Sequence, residues 1–242
     1  MSVDSQKLVA RGKFYIDQRF DSQHVGPKSL VLEGKTYHRF MDFIYIPTPP
    51  SKLSFDEVIE LCELRLEFAE TIIDKGVHRA VVNCMVETLK ISHPEMVGRS
   101  AIEILDFGCS TGLASEEFRA AWGTACNVTG LDVSKRAVAT ARSRGTHAVV
   151  ATNEGAFPFP TSSFDVVIAV FVFHFQVHES RIKEILRVLR PNGFLVFNLY
   201  GDVPVSLWRN LERVGFDIIG EQTECSLPGS HQIYMAAPKC RP

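Results

Sequence analysis

Residues 102–112 read Ile-Glu-Ile-Leu-Asp-Phe-Gly-Cys-Ser-Thr-Gly, and the helix-forming run Leu113–Trp122 (LASEEFRAAW) follows at once. An apolar strand that breaks into a small-residue loop and runs into a helix builds a nucleotide-type site in an open α/β sheet. Gly108 and Gly112 carry no Cβ, so the loop can bend sharply against a ligand, and the helix N-terminus points its free N–H groups the same way. A dinucleotide fingerprint would read Gly-x-Gly-x-x-Gly; here Ser110 replaces the middle glycine in Gly108-Cys109-Ser110-Thr111-Gly112. Asp106, just before the turn, would repel phosphate and attract an ammonium group. The sign of that charge points to a zwitterionic adenosyl ligand rather than a pyrophosphate.

A second apolar strand at residues 127–131 ends in Asp132 and leads into SKRAVATARSRG, residues 134–145. Ser134 suits the N-cap of that helix, which leaves Asp132 free at the carboxyl edge of the sheet, where an acid can bind both ribose hydroxyls; the bland alternative is a second capping residue. Two further stretches follow in order: NEGAFPFPTSSFDVVIAVFVFH (153–174) and EILRVLRPNGFLVF (184–197).

On these four signatures, in register, the chain from about Ile102 to Lys239 resembles the class I S-adenosylmethionine-dependent methyltransferases. The resemblance implies a Rossmann-like α/β fold, a seven-stranded mostly parallel sheet with helices on both faces and a final antiparallel hairpin. It also implies S-adenosylmethionine as cofactor, held by Asp106, Gly108, Cys109, Ser110, Gly112, Asp132, Val133, Asn153 and Glu154. Asn153 stands where similar members carry an aspartate toward the adenine amino group; its carbonyl oxygen can accept that bond, with Glu154 as the alternative acceptor. Tyr15, in KFYIDQRFD, is similar to an N-terminal tyrosine that touches the methionine carboxylate in the family, although Asp17 stands two residues on rather than adjacent. Cys109 has the small apolar volume of a packing residue.

The implied chemistry needs mainly alignment, because a sulfonium methyl is already electrophilic and the nucleophile must sit about 3 to 3.5 Å away in line. For a hydroxyl or protonated amine acceptor a base must take a proton, and His174, at the carboxyl edge of the fourth strand, is the first candidate. The alternative is an imidazole that bonds loop backbone or stacks on substrate. His178, where the next helix begins, is a weaker second; Tyr200, after the fifth strand, faces the pocket or takes a core or rim role. Strand alternation puts Phe171, Phe173 and Phe175 on one face, with Phe171 and Phe173 in the core and Phe175 free to present its ring to the sulfonium.

Composition narrows the substrate. The 242 residues are 45% apolar and carry 26 basic against 28 acidic residues, a formal charge of −2. That suits one large α/β domain with a cap and gives no footprint for nucleic acid or an anionic membrane surface. The fourth strand lacks the Asn-Pro-Pro-Tyr sequence of the family's amino-methylating DNA enzymes and the Pro-Cys loop of its cytosine-C5 enzymes, so a small-molecule substrate is favoured by elimination. Six cysteines without paired or metal-ligand spacing read as reduced thiols in the cytoplasm, no signal peptide or membrane span is expected, and no metal is implied. The oligomeric state is open.

Residues 1–100 read as an N-terminal cap or lid, ahead of a catalytic domain at 101–242. SLVLEGKTYHRFMDFIYI (29–46) predicts a hairpin turning at Glu33-Gly34-Lys35, PTPPS (47–51) an irregular linker, and Ser54 with Glu57 a capping box for a helix over 55–73. A second helix is predicted over about 77–91, after a stop at Asp74-Lys75-Gly76. Tyr15, Tyr37, His38 and Tyr45 are candidates for lining a substrate pocket or, more blandly, half-buried hairpin residues. Three functions are compatible with the pattern: methyl transfer to an O, N or C atom of a small metabolite; transfer or cyclisation of the aminocarboxypropyl arm with release of methylthioadenosine; and a non-catalytic adenosyl-binding subunit.

Overall fold

The computed structural model describes residues 8–18, 26–40, 43–69, 73–99, 101–123, 126–152, 155–173, 177–200, 205–222 and 231–239. Its first strands, β1 (Leu8–Arg11) and β2 (Phe14–Asp17), form a hairpin turned by Gly12 and Lys13, with Gly12 at φ +58°. The expected hairpin is β3 (Ser29–Leu32) and β4 (Lys35–Phe40), and its turn residues Glu33 and Gly34 both have positive φ, +51° and +75°, as a tight two-residue turn requires. β5 (Ile44–Ile46) pairs antiparallel with both β2 and β4. The result is a five-stranded antiparallel sheet, β1-β2-β5-β4-β3, rather than a lone hairpin. Two of its strands, β1 and β2, were not read from the sequence.

Helix α1 (Phe55–Leu66) starts at the expected capping box: Ser54 Oγ accepts the Glu57 N–H, and Glu57 accepts the Ser54 N–H at 2.9 Å. Leu61 at its centre joins Phe14, Ile16, Phe40, Phe43, Ile44, Ile46 and Leu53 in a small core of its own. Helix α2 (Lys75–Ser92) begins two residues earlier than predicted, because Asp74 caps it, accepting the N–H groups of Gly76 and Val77 at 2.8 and 3.1 Å. The Asp-Lys-Gly run is thus a start signal, not a stop.

The large sheet contains β6 (Ile102–Phe107), β7 (Cys126–Asp132), β8 (His147–Val150), β9 (Phe164–Ala169), β10 (Leu189–Leu199), β11 (Phe216–Gln222) and β12 (Gln232–Pro238), in the order β11-β12-β10-β9-β6-β7-β8. β10, β9, β6, β7 and β8 are parallel neighbours, and β12 runs antiparallel between β10 and β11. Helices α3 (Leu113–Trp122), α4 (Lys135–Ser143), α5 (Glu179–Val188) and α6 (Val205–Val214) complete it. This is the expected Rossmann-like α/β fold.

Both faces of the central strands are covered, so their apolar runs are continuous and split by alternation. Ile104, Val166, Ile168 and Val196 face a core with α2 and α3, whereas Leu105, Val167, Ala169 and Leu195 face one with α5 and α6. Helix α2, which the sequence groups with the cap, therefore packs on the sheet itself through Val81, Val82, Met85, Val86 and Leu89. Cys84 on the same helix is disulfide-bonded, so the expectation of six reduced thiols fails there, whereas Cys62, Cys109 and Cys126 are free.

Candidate functional site

The loop after β6 is held by β7. Gly108 N–H and Cys109 N–H donate to Leu131 O at 2.8 and 3.2 Å, and Ser110 N–H donates to Asp132 Oδ2 at 2.8 Å. These three donors are spent inside the fold. Ser110 takes φ +46°, a left-handed conformation that its bond to Asp132 secures. A Cβ on Gly108 would lie 2.6 Å from a Val172 methyl, and one on Gly130 would lie 2.6 Å from Cys109 Sγ. The tight packing is thus between β6, β7 and the segment after β9, and Cys109 is buried against Val138, Ala141 and Ala148.

Two acids close the site from below. Asp106 is 1% exposed; its Oδ2 accepts the Ser115 hydroxyl at 2.6 Å, while Oδ1 is buried with no hydrogen-bond partner among the described residues. Burial pushes its carboxyl up to about 6. Asp132 is not free: Oδ1 accepts the Ser134 N–H at 2.8 Å and Oδ2 the Ser110 N–H. Ser134 still caps α4 through Ala137 N–H, so Asp132 adds an Asx turn to the cap, and with Val133 N–H as a third backbone donor its carboxylate still has acceptor capacity for an external donor. Burial raises its carboxyl as well.

Helix α1 supplies the cover. Glu63 and Glu67 lie 3.9 Å from Arg136 at the start of α4, and the Arg181 guanidinium of α5 lies 4.8 Å over the Phe55 ring. Those contacts follow the carboxyl ends of β7 and β9 respectively, so α1 bridges the edge where the loop after β6 emerges. The half-buried Cys62 thiol is pushed up to about 12 by burial, with Asp132 adding to the effect.

A ring cluster occupies the neighbouring part of this edge. Phe171, just past β9, has φ +58° and donates its N–H to Asn198 Oδ1 at 2.7 Å. Its ring lies 5.5 Å from His78, 5.9 Å from Tyr200 and 5.3 Å from His231. His78, on the first turn of α2, sets Nδ1 2.6 Å from Glu117 Oε2 of α3. Glu117 is 6% exposed, and its Oε1 has no hydrogen-bond partner among the described residues. His231, held down in pKa by burial, faces the Asn198 side-chain nitrogen with Nδ1 at 3.4 Å.

Comparison with known proteins bears on this edge. Residues 105–197, from β6 to the end of β10, match a family described as a methyltransferase domain. These residues thus carry the sequence pattern of a methyltransferase domain. A demethylmenaquinone methyltransferase of Tropheryma whipplei is 37% identical over 101 residues, 39% of this chain and 40% of that one. A ubiquinone/menaquinone biosynthesis C-methyltransferase of Nitrosospira multiformis is 27% identical over 166 residues, 66% of this chain and 62% of that one. The chain thus spans about two-fifths to three-fifths of these relatives. Among solved structures, a TehB-like S-adenosylmethionine-dependent methyltransferase from Corynebacterium glutamicum aligns with TM-score 0.53 and 18% identity, over 74% of this chain and 97% of that one. An S-adenosylmethionine-dependent methyltransferase from Thermotoga maritima aligns with TM-score 0.51 and 16% identity, over 77% of this chain and all of that one. These two likenesses show the fold.

Within residues 105–197, Asp106, Gly108, Ser110, Gly112 and Asp132 come together at the carboxyl ends of β6 and β7, and Val133 packs beside them against the core with Ala151 and Phe157. His174, Phe175, Asn153 and Glu154 lie outside the described residues. β9 ends at Ala169, so alternation does not carry to Phe171; Phe173 is fully buried against Phe107 and Phe197, as expected for a core residue. Tyr200 joins the ring cluster, whereas His178 is an exposed N-terminal residue of α5. Tyr15 and Tyr37 pair edge-on at 4.9 Å on the cap sheet, and alternation with Phe14 and Ile16 turns Tyr15 away from α1 and the loop. His38 stands on β4 of that sheet, opposite Ser29 and Ile46. Sequence reasoning placed Phe171 in the core and missed His78, Glu117, Asn198 and His231, which meet it only through tertiary packing.

Proposed function

We propose that this chain binds S-adenosylmethionine at the edge formed by β6 and β7 and transfers its methyl group to an O, N or C atom of a small metabolite. The observation that carries this reading is the buried Asp106 Oδ1 beside the loop, with no hydrogen-bond partner among the described residues. An anionic oxygen there without a donor is costly in isolation and suits an ammonium group. The remaining acceptor capacity of Asp132 suits ribose hydroxyls, and Val133 offers an apolar wall to a purine. Asn153 and Glu154 are the acceptors assigned to the adenine amino group.

When bound, S-adenosylmethionine supplies an electrophilic methyl on its sulfonium. The residues of this chain hold and orient it, α1 excludes water, and a side chain at the carboxyl edge of β9 or α2 takes the acceptor proton. The named relatives, which act on quinone precursors by their descriptions, support a ring-bearing substrate in the same class. A cytoplasmic setting and the absence of nucleic-acid partners belong to this reading too.

The test is incubation of the full chain with S-adenosylmethionine, with and without a cell metabolite extract, and mass spectrometry of the adenosine products. S-Adenosylhomocysteine that appears only with extract is the expected result. Methylthioadenosine would replace methyl transfer by arm chemistry, and no binding of S-adenosylmethionine by calorimetry would overturn the site.

A further inference from the structure

His78 is the titratable group at the sheet's carboxyl edge that the cofactor reading leaves unused. Its Nδ1 is committed to Glu117 Oε2 at 2.6 Å, and its ring packs 5.5 Å from Phe171. With Glu117 ionised, Nδ1 carries the proton it donates, so in the neutral imidazole the lone pair sits on Nε2. Nε2 makes no hydrogen bond among the described residues. The His78 side chain is 13% exposed, so it reaches the site without being sealed in the core.

The surroundings say what could sit there. Phe171, Tyr200 and His231 form a wall of rings whose centroids are 4.8 to 5.9 Å apart. Such a wall suits a flat ring, which stacks or packs edge-on against its members. His231 does not compete for the proton, since its Nδ1 faces the Asn198 amide nitrogen and burial lowers its pKa. Acidic groups instead gather around His78: Glu117 from α3, with its second oxygen free of hydrogen bonds among the described residues and 3.9 Å from Arg79, and Asp106 from β6, near enough for His78 to act on its carboxyl. Tyr200, just past β10, and His231 beside β12 face it across Phe171.

We propose that His78, oriented by Glu117, is the proton acceptor for a ring-bearing substrate with an ionisable hydroxyl, seated against Phe171, Tyr200 and His231. In the step assigned to it, the substrate O–H bond breaks, its proton forms an N–H bond at His78 Nε2, and the electron pair stays on oxygen to make the ring nucleophilic. The imidazolium so formed lies against the Glu117 carboxylate. Glu117 is a positioning residue in this scheme. The inference rests on the methyltransferase reading and assigns its base to α2 in place of His174.

The test needs no turnover. 4-Nitrophenol, whose ionised form is coloured, is titrated with the full chain in the presence of S-adenosylhomocysteine, at a pH just below that of its own ionisation. The wild type is expected to raise the ionised fraction, H78Q to abolish the rise and E117Q to diminish it. Calorimetry should hold S-adenosylhomocysteine affinity within about twofold, as expected for a base that does not grip the cofactor. Nitrogen-15 NMR of the wild-type histidines is expected to show His78 protonated at Nδ1 and bare at Nε2, a readout that does not depend on a variant folding. No rise with the wild type, a rise that persists in H78Q, or the opposite tautomer would each overturn the proposal. Where a phenol is methylated, H78Q should lower kcat about 100-fold or more at little cost in KM, with partial rescue by imidazole. An intact colour change with no phenol methylated would count against the transferase reading instead.

Discussion

Asp106 carries a buried charge that a proton or a bound cation relieves. Its native carboxyl is raised to about 6 by burial, above the ordinary aspartate value of 3.8. The folded protein therefore keeps the proton longer than the unfolded chain: apoprotein stability rises as pH falls from about 6 toward 4, and above that window the ionised group costs on the order of 3 kcal/mol at most. D106N removes that charge while its amide oxygen still accepts from Ser115, so thermal unfolding without cofactor should move up. The same substitution should weaken S-adenosylmethionine binding at least tenfold by calorimetry. An unchanged affinity would remove Asp106 from the ammonium site. In the wild type, affinity should fall about tenfold per pH unit below about 6, as protonation cancels the attraction. Asp106, Asp132 and Gly108 were legible in the sequence because strand, loop and acid lie within one short local motif. Glu117 was not: Glu116 beside it is exposed, and only the rotation of α3 against α2 decides which of two adjacent glutamates is buried.

At the scale of elements, the segment after β9 shows how side-chain bonds overrule periodicity. An alternating apolar run predicts a strand through residue 174, yet the strand ends at Ala169 and Phe171 turns left-handed. The turn is secured by Asn198, a fully buried residue of β10 whose Oδ1 accepts the Phe171 N–H. No local signal links positions 27 residues apart, so this corner was illegible, whereas the capping box of α1 and the Glu33-Gly34 turn were read from neighbours in sequence. N198A would leave a Phe171 N–H without its acceptor and should cost about 1–3 kcal/mol in chemical denaturation. It should also loosen the ring wall, raising KM for an aromatic acceptor more than it changes S-adenosylmethionine affinity. A variant with native stability would mean that Phe171 holds its conformation without this bond.

For the whole molecule, the question is where the cap ends. The sequence places the boundary at residue 100, on the change of pattern before β6. Packing argues for one near residue 74, because α2 shares its core with the sheet whereas α1 shares its own with β2, β4 and β5. Val81, Val82, Met85, Val86 and Leu89 are each 0% exposed, and at roughly 1.5–3 kcal/mol per side chain their burial is worth on the order of 10 kcal/mol, comparable to the whole stability of a domain. The joints between α1 and the sheet are slighter: Arg136 with Glu63 and Glu67 at 3.9 Å, both partly exposed, and Arg181 over Phe55. Contacts of that kind contribute about 1 kcal/mol or less each. A chain starting at residue 73 should therefore still unfold cooperatively, with weaker cofactor binding because Asp132 loses the cover of α1, while a chain starting at residue 101 should show no cooperative transition by circular dichroism. Cooperative unfolding of the shorter chain would return α2 to the cap. Failure of the longer one would make the five-stranded sheet and α1 part of the same folding unit as the Rossmann-like core, and the cover over the site would then be a fixed wall rather than a lid.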